Sequence, residues 1–137
     1  MRQNFEPSIW GSHAWFFLET IVLSYSNDPT DDEKKQMKQF FLSLQHVIPC
    51  EMCSYNYKTH LQEFPLNEKA LSNRDELFKW IITIHNSVES SKKRTPNQAF
   101  NYYNNIYSNN KSNKIKQIMF LLILICIIVL FWKKIYK

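Results

Sequence analysis

Ile48-Pro49-Cys50-Glu51-Met52-Cys53 places two thiols three positions apart, near enough to close a small disulfide ring. If Cys50 opens a helix, the unpaired backbone N–H groups and the positive end of the helix dipole stabilise its thiolate. Such a pair cycles between dithiol and disulfide. The same stretch offers a second chemistry, because His46-x3-Cys50-x2-Cys53-x6-His60 supplies two sulfurs and two imidazoles, the ligand set of a structural zinc site. A third reading leaves the cysteines idle, since one CxxC does not by itself fix its use.

The elements that must position these groups are helical. The only glycine is Gly11 and the five prolines are scattered, which disfavours a strand-and-turn architecture. Trp10, Ala14, Phe17, Leu18, Ile21 and Tyr25 recur at three- and four-residue spacing and predict a helix over 9–25, with Ser8 as N-cap. Thr30-Asp31-Asp32-Glu33 is a capping box. The stripe Met37, Phe40, Phe41, Leu44 and Ile48 then predicts a second helix to about His46. A third begins at the CxxC and ends near Phe64-Pro65. Residues 66–71 carry no helical stripe and read as a surface connection.

Two overlapping caps follow, Ser72 with Asp75 and Asn73 with Glu76. They open a fourth helix with the stripe Leu77, Trp80, Ile81, Ile84 and Val88. His85-Asn86 sits on or beside that stripe, and a polar pair there costs stability unless it is hydrogen-bonded. After a basic turn over 90–94, Thr95-Pro96 caps a short fifth helix with Phe100, Tyr103, Ile106 and Tyr107 on one face.

The formal charge of +5 over 137 residues suggests nucleic acid until it is divided. Residues 1–110 hold 11 Lys and Arg against all 12 acidic residues, so the excess comes from Lys111, Lys114, Lys116, Lys133, Lys134 and Lys137. These lysines bracket an apolar run, and nucleic-acid binding is not expected. The expected organisation is a domain over 1–110, a polar linker over 111–117, a transmembrane segment over 118–132 and a basic tail over 133–137. The 15 apolar residues of the run amount to about 23 Å of helix, to be extended by snorkelling lysines and by Trp132 and Tyr136 at the interface. Cys126 lies mid-run as an inert apolar residue. Three cysteines and no apolar leader do not fit a disulfide-stapled secreted scaffold. The expected placement is a C-terminal membrane anchor with the domain in the cytosol.

Trp10-Gly11-x3-Trp15-x2-Leu18, Pro49-Cys50-x2-Cys53 and Trp80-x4-His85-Asn86-x-Val88, in this order and spacing, resemble the Erv/ALR family of FAD-linked sulfhydryl oxidases. The small size is similar to the minimal members encoded by large DNA viruses. The resemblance covers about residues 8–107. It implies an all-α fold, a four-helix bundle with a short fifth helix, holding FAD beside the CxxC; here the transmembrane helix would follow.

The implied reaction takes two electrons from a substrate dithiol to flavin and then to O2, giving a disulfide and H2O2. By position in the family, Cys50 exchanges with substrate and Cys53 faces the flavin. Trp15, Tyr25, His85, Asn86 and Arg94 are the implied cofactor contacts. The sequence departs from the family at Glu19, where histidine is usual, at Glu89, where asparagine is usual, and at Lys92, where leucine is usual. It also lacks the shuttle cysteine pair of larger members, so the expected substrate is a partner protein's dithiol, of thioredoxin-like kind, met directly by Cys50. The family often pairs through the outer helices of the bundle, which makes a homodimer an expectation too. A CxxC needs an electron acceptor, and aromatics on two helices with a basic turn are suited to seat a flavin.

Overall fold

The computed structural model describes residues 3–89 and 93–135. It contains α1 (Pro7–Leu23), α2 (Asp31–Val47), α3 (Glu51–Glu63), α4 (Arg74–Val88) and α5 (Pro96–Ile135), with no strand among the described residues. Two compact units result, Met1–Pro96 and Asn97–Lys137.

Local sequence accounts for most of the boundaries. Thr30 Oγ1 accepts the Glu33 N–H and the Glu33 carboxylate accepts the Thr30 N–H at 2.7 Å, completing the capping box of α2. Asn73 caps α4 by accepting the Glu76 N–H at 3.0 Å. The first helix starts two residues earlier than the expected Ile9, because Pro7 occupies its first turn, where a missing N–H costs nothing.

In the first unit α4 is the centre, packing against α1 and α3, while α3 packs against α2. Phe78 and Ile82 are buried as well as the expected Leu77, Trp80, Ile81 and Ile84, so α4 is covered on more than one face, whereas Val88 of the expected stripe is 50% exposed. Aromatic side chains tie the ends of neighbouring helices to it. The Trp80 indole N–H donates to the Phe64 carbonyl at 2.9 Å, and its ring meets Phe41 edge-on at 5.1 Å. The Tyr57 hydroxyl donates to the Phe41 carbonyl at 3.1 Å, and burial pushes its pKa above the ordinary value. The connection between α3 and α4 is anchored more deeply than a surface crossing, with Leu66, Ala70 and Leu71 buried.

α1 differs from an ordinary amphipathic helix. Its aromatic stripe at Trp10, Ala14, Trp15 and Leu18 is only half-buried, and the fully buried positions are Glu19 and Val22. Of the expected stripe, Trp10, Ala14, Phe17 and Leu18 line a cleft together with Trp15, while Tyr25 is buried.

The second unit corrects two expectations. The fifth helix is 40 residues long rather than short, and residues 111–117 continue it. Ser108-Asn109-Asn110-Lys111-Ser112 contains neither glycine nor proline, so polarity alone does not break the helix. Among the described residues no helix is long and apolar enough to cross a membrane, so the span expected over 118–132 is not recovered. Its physical shortfall is length, about 23 Å of apolar helix against a hydrocarbon core of roughly 30 Å. Part of that run, the side chains of residues 127, 130 and 131, lies outside those described, as do the side chains of 133–135 and all of 136–137.

Truncation of fully buried Ile81 to alanine is expected to cost about 2–5 kcal/mol in denaturant unfolding. Glu33 is held below its ordinary value of 4.5, first by the Thr30 N–H and then by the Thr30 hydroxyl. A carboxylate with a depressed folded pKa adds stability above its unfolded pKa and loses it as pH falls through the folded one. Thermal unfolding should therefore find wild type more stable than Glu33→Gln near neutral pH, with the advantage disappearing as pH falls below 4.5.

Candidate active site

Cys50 and Cys53 are joined as a disulfide at the start of α3, with 5.2 Å between their Cα atoms. Cys50 is the N-cap, in extended conformation, and its Sγ accepts the Cys53 N–H at 3.1 Å. A thiolate released at Cys50 would meet that same donor and the positive end of α3. The zinc alternative would require this bond to be reduced. Both sulfurs are committed to each other, and among the described residues no three His, Cys, Asp or Glu side chains converge on a metal position. His46 is exposed at the end of α2, and His60 lies 3.8 Å from Glu63 of its own helix.

Beside the disulfide lies a cleft of about 350 Å3. Trp10, Gly11, Ala14, Trp15 and Leu18 of α1 form one side, and Phe40 and Leu44 of α2 with Ile48 and Pro49 form another. Cys53, Asn56 and Tyr57 of α3 close it, with Val88 at an edge. Cys53 lines the cleft and Cys50 does not. A Cβ added at Gly11 would meet nothing within 4 Å, so the space there is open. An apolar, aromatic-walled cleft of this size suits a flat ring system.

A second cluster surrounds His85. Its ring stacks on Trp15 with centroids 4.2 Å apart and planes 7° apart. His85 Nδ1 lies 2.5 Å from Glu19 Oε1, and Arg94 Nη2 donates to the same oxygen at 2.8 Å. Arg94 Nη2 also lies 2.9 Å from His85 Nδ1, so the three groups form one tight cluster. Asn86 holds both backbone groups of Arg94: its Nδ2 donates to the Arg94 carbonyl at 2.8 Å, and its Oδ1 accepts the Arg94 N–H at 2.9 Å.

Glu19 is fully buried, so the Arg94 donor and the His85 ring converging on one oxygen are what make its burial tolerable. Its other oxygen, Oε2, has no partner among the described residues. Glu89 lies 3.8 Å from His85 Nε2. Lys92 lies outside the described residues.

Of the residues expected to contact a cofactor, Trp15 and Cys53 share the cleft, and His85, Asn86 and Arg94 form the cluster behind Trp15. The close stack leaves no room for a third ring between Trp15 and His85. Tyr25 is elsewhere: its hydroxyl donates to the Leu71 carbonyl at 3.0 Å and its own carbonyl accepts from Arg74 Nε at 2.8 Å. These bonds tie the end of α1 to the start of α4.

Two contributors were not anticipated. Glu19 was noted only as a departure, although its place beside His85 and Arg94 makes it the hub of the cluster. Asn4 and Phe5 hydrogen-bond to the CxxC loop, Asn4 Oδ1 accepting the Glu51 N–H at 2.9 Å and Phe5 N–H donating to the Pro49 carbonyl at 2.8 Å. A contact 47 positions apart leaves no local signature.

A helical domain that sets a CxxC disulfide at a helix cap beside an aromatic cleft has the parts that thiol–disulfide exchange requires. The sequence pattern of the Erv1 / Alr family matches residues 12–108, and the chain belongs to that family. A probable FAD-linked sulfhydryl oxidase of Acanthamoeba polyphaga mimivirus is 42% identical over 82 residues, which are 60% of this chain and 57% of that protein. The mitochondrial FAD-linked sulfhydryl oxidase Erv1 of Saccharomyces cerevisiae is 32% identical over 93 residues, 68% of this chain and 47% of that one. An FAD-linked sulfhydryl oxidase of African swine fever virus is 28% identical over 78% of this chain and 87% of its own length. The chain thus spans about half the length of the first two relatives. The crystal structure of the FAD binding domain of yeast Erv1 superposes with a TM-score of 0.62 at 29% identity, covering 69% of this chain and 90% of that one.

Glu19→Ala leaves His85 and Arg94 facing an empty buried position and is expected to destabilise the protein by on the order of 3 kcal/mol in denaturant titration.

Proposed function

We propose that this chain is an FAD-linked thiol oxidase that forms disulfides in a partner protein, with Cys50 and Cys53 as its redox pair. The supporting observation is the asymmetry of the disulfide, Cys53 being part of the cleft lining and Cys50 not. The cleft fits the isoalloxazine of FAD in shape and polarity, with Trp10, Trp15, Leu18, Phe40 and Cys53 around it. Trp15, backed by His85, offers an aromatic surface beside that seat, and Asn86 and Arg94 hold the stack in place through Glu19. The FAD-linked names of relatives and the FAD binding domain among the solved structures agree with this fit.

A substrate thiolate would attack Cys50 Sγ, releasing the Cys53 thiolate and leaving a mixed disulfide between Cys50 and substrate. The second substrate thiolate then attacks the substrate sulfur, and Cys50 leaves as thiolate. Two electrons have moved from the substrate dithiol to the CxxC. Charge on Cys50 is held by the Cys53 N–H and the α3 dipole, which makes it the better leaving group. What bound FAD supplies is a two-electron acceptor that restores the disulfide and passes the pair to O2 as H2O2.

Access favours a protein substrate. Met52 and Tyr55, each 68% exposed, and Val47, 60% exposed, flank the disulfide. Such a rim suits the apolar surface around the active dithiol of a thioredoxin-like carrier.

Purified protein should be yellow, bleach with excess dithiol under nitrogen and recover in air while consuming O2. Cys50→Ser and Cys53→Ser should each keep the flavin and lose turnover by about 100-fold or more. Undiminished dithiol-driven O2 consumption by Cys53→Ser would sink the assignment.

A further inference from the structure

We propose that Asn4 and Phe5 form a strap that positions the redox pair, with Asn4 as a positioning residue that sets how readily the Cys50–Cys53 disulfide is reduced. Both peptide groups that flank Cys50 are held by this strap. On one side the Pro49 carbonyl accepts the Phe5 N–H at 2.8 Å. On the other, the N–H of the Cys50–Glu51 peptide donates to Asn4 Oδ1 at 2.9 Å. The strap is itself tied to the cleft wall, because the Trp10 indole N–H donates to the Phe5 carbonyl at 3.2 Å. One short segment therefore connects the cleft, the loop before α3 and the cap of α3. Residues 4 and 5 precede the 12–108 stretch shared with the family, so the strap lies outside that shared pattern.

The electrostatic consequence is specific. Two of the donors at the start of α3 go to two different acceptors: Cys50 Sγ takes the Cys53 N–H and Asn4 takes the Glu51 N–H. A neutral amide satisfies its donor without adding charge. A carboxylate at the same position would draw on the same positive helix end that stabilises the Cys50 thiolate. The reduced state would lose that support while the disulfide, which is uncharged, would not.

The inference rests on the thiol-oxidase reading, and the experiment separates the two. The full-length protein is equilibrated with mixtures of reduced and oxidised dithiothreitol under nitrogen. In the reaction the protein disulfide and dithiothreitol give the protein dithiol and cyclic oxidised dithiothreitol, read by alkylation and mass. Asn4→Asp, which keeps the acceptor, should lower the equilibrium constant for reduction by about threefold or more. Asn4→Ala, which removes it, should speed hydrogen exchange at the Glu51 amide by about tenfold. If wild type exchanges with dithiothreitol but Asn4→Asp has the same constant, the role of Asn4 in setting reduction is overturned. Unchanged exchange at Glu51 in Asn4→Ala overturns the strap. A wild-type pair that does not exchange at all overturns the oxidase reading and the inference with it.

Discussion

A helix cannot satisfy the N–H groups of its own first turn, and the site of this protein is built on that deficit. At the start of α3 the deficit is met by a sulfur, Cys50 Sγ, and by an amide oxygen from Asn4. The acceptor role of Cys50 makes its position both structural and chemical. Pro49 contributes by leaving the preceding residue extended, so that the chain enters α3 sharply with the sulfurs at its tip. A CxxC one turn further along α3 would lose the cap, the dipole and the cleft together.

The second constraint is the buried carboxylate of Glu19. An ion at a fully buried position needs partners of good geometry, and here His85 of α4 and Arg94 converge on one oxygen. Asn86 makes this possible by bonding both backbone groups of Arg94. The cluster then supports Trp15 from behind through the His85 ring.

The legible parts of the fold were those with local causes. The Thr30 capping box, the Asn73 cap, the proline before α3 and the apolar stripe of α4 each work within a few residues, and each has its counterpart in the structure. The stripe of α1 was visible but its destination was not, because periodicity says which side chains share a face and not what that face meets. The length of α5 was missed for a related reason: a polar stretch resembles a linker in composition, whereas helix continuity depends on the absence of glycine and proline. Glu19 with Arg94, and Asn4 with Glu51, are 75 and 47 positions apart. Their pairing exists only once α1, α3 and α4 are packed.

The destination of the α1 stripe explains why so small a unit can carry a large cleft. A helix that turned Trp10, Ala14, Trp15 and Leu18 into the core would add apolar burial and leave no seat for a ring. Instead α4, buried on more than one face, provides much of the core, and Leu66 and Leu71 extend it from the connection that precedes α4. With the core supplied from there, α1 presents its aromatic face to the cleft and its buried face to His85 through Glu19. The same helix thus joins the cleft to the charge cluster, with Trp15 the residue that belongs to both. At its start Trp10 reaches the Phe5 carbonyl, and through Phe5 the loop that carries the disulfide. The orientation of α1 therefore governs the shape of the cleft and the seating of the redox pair in one rigid element.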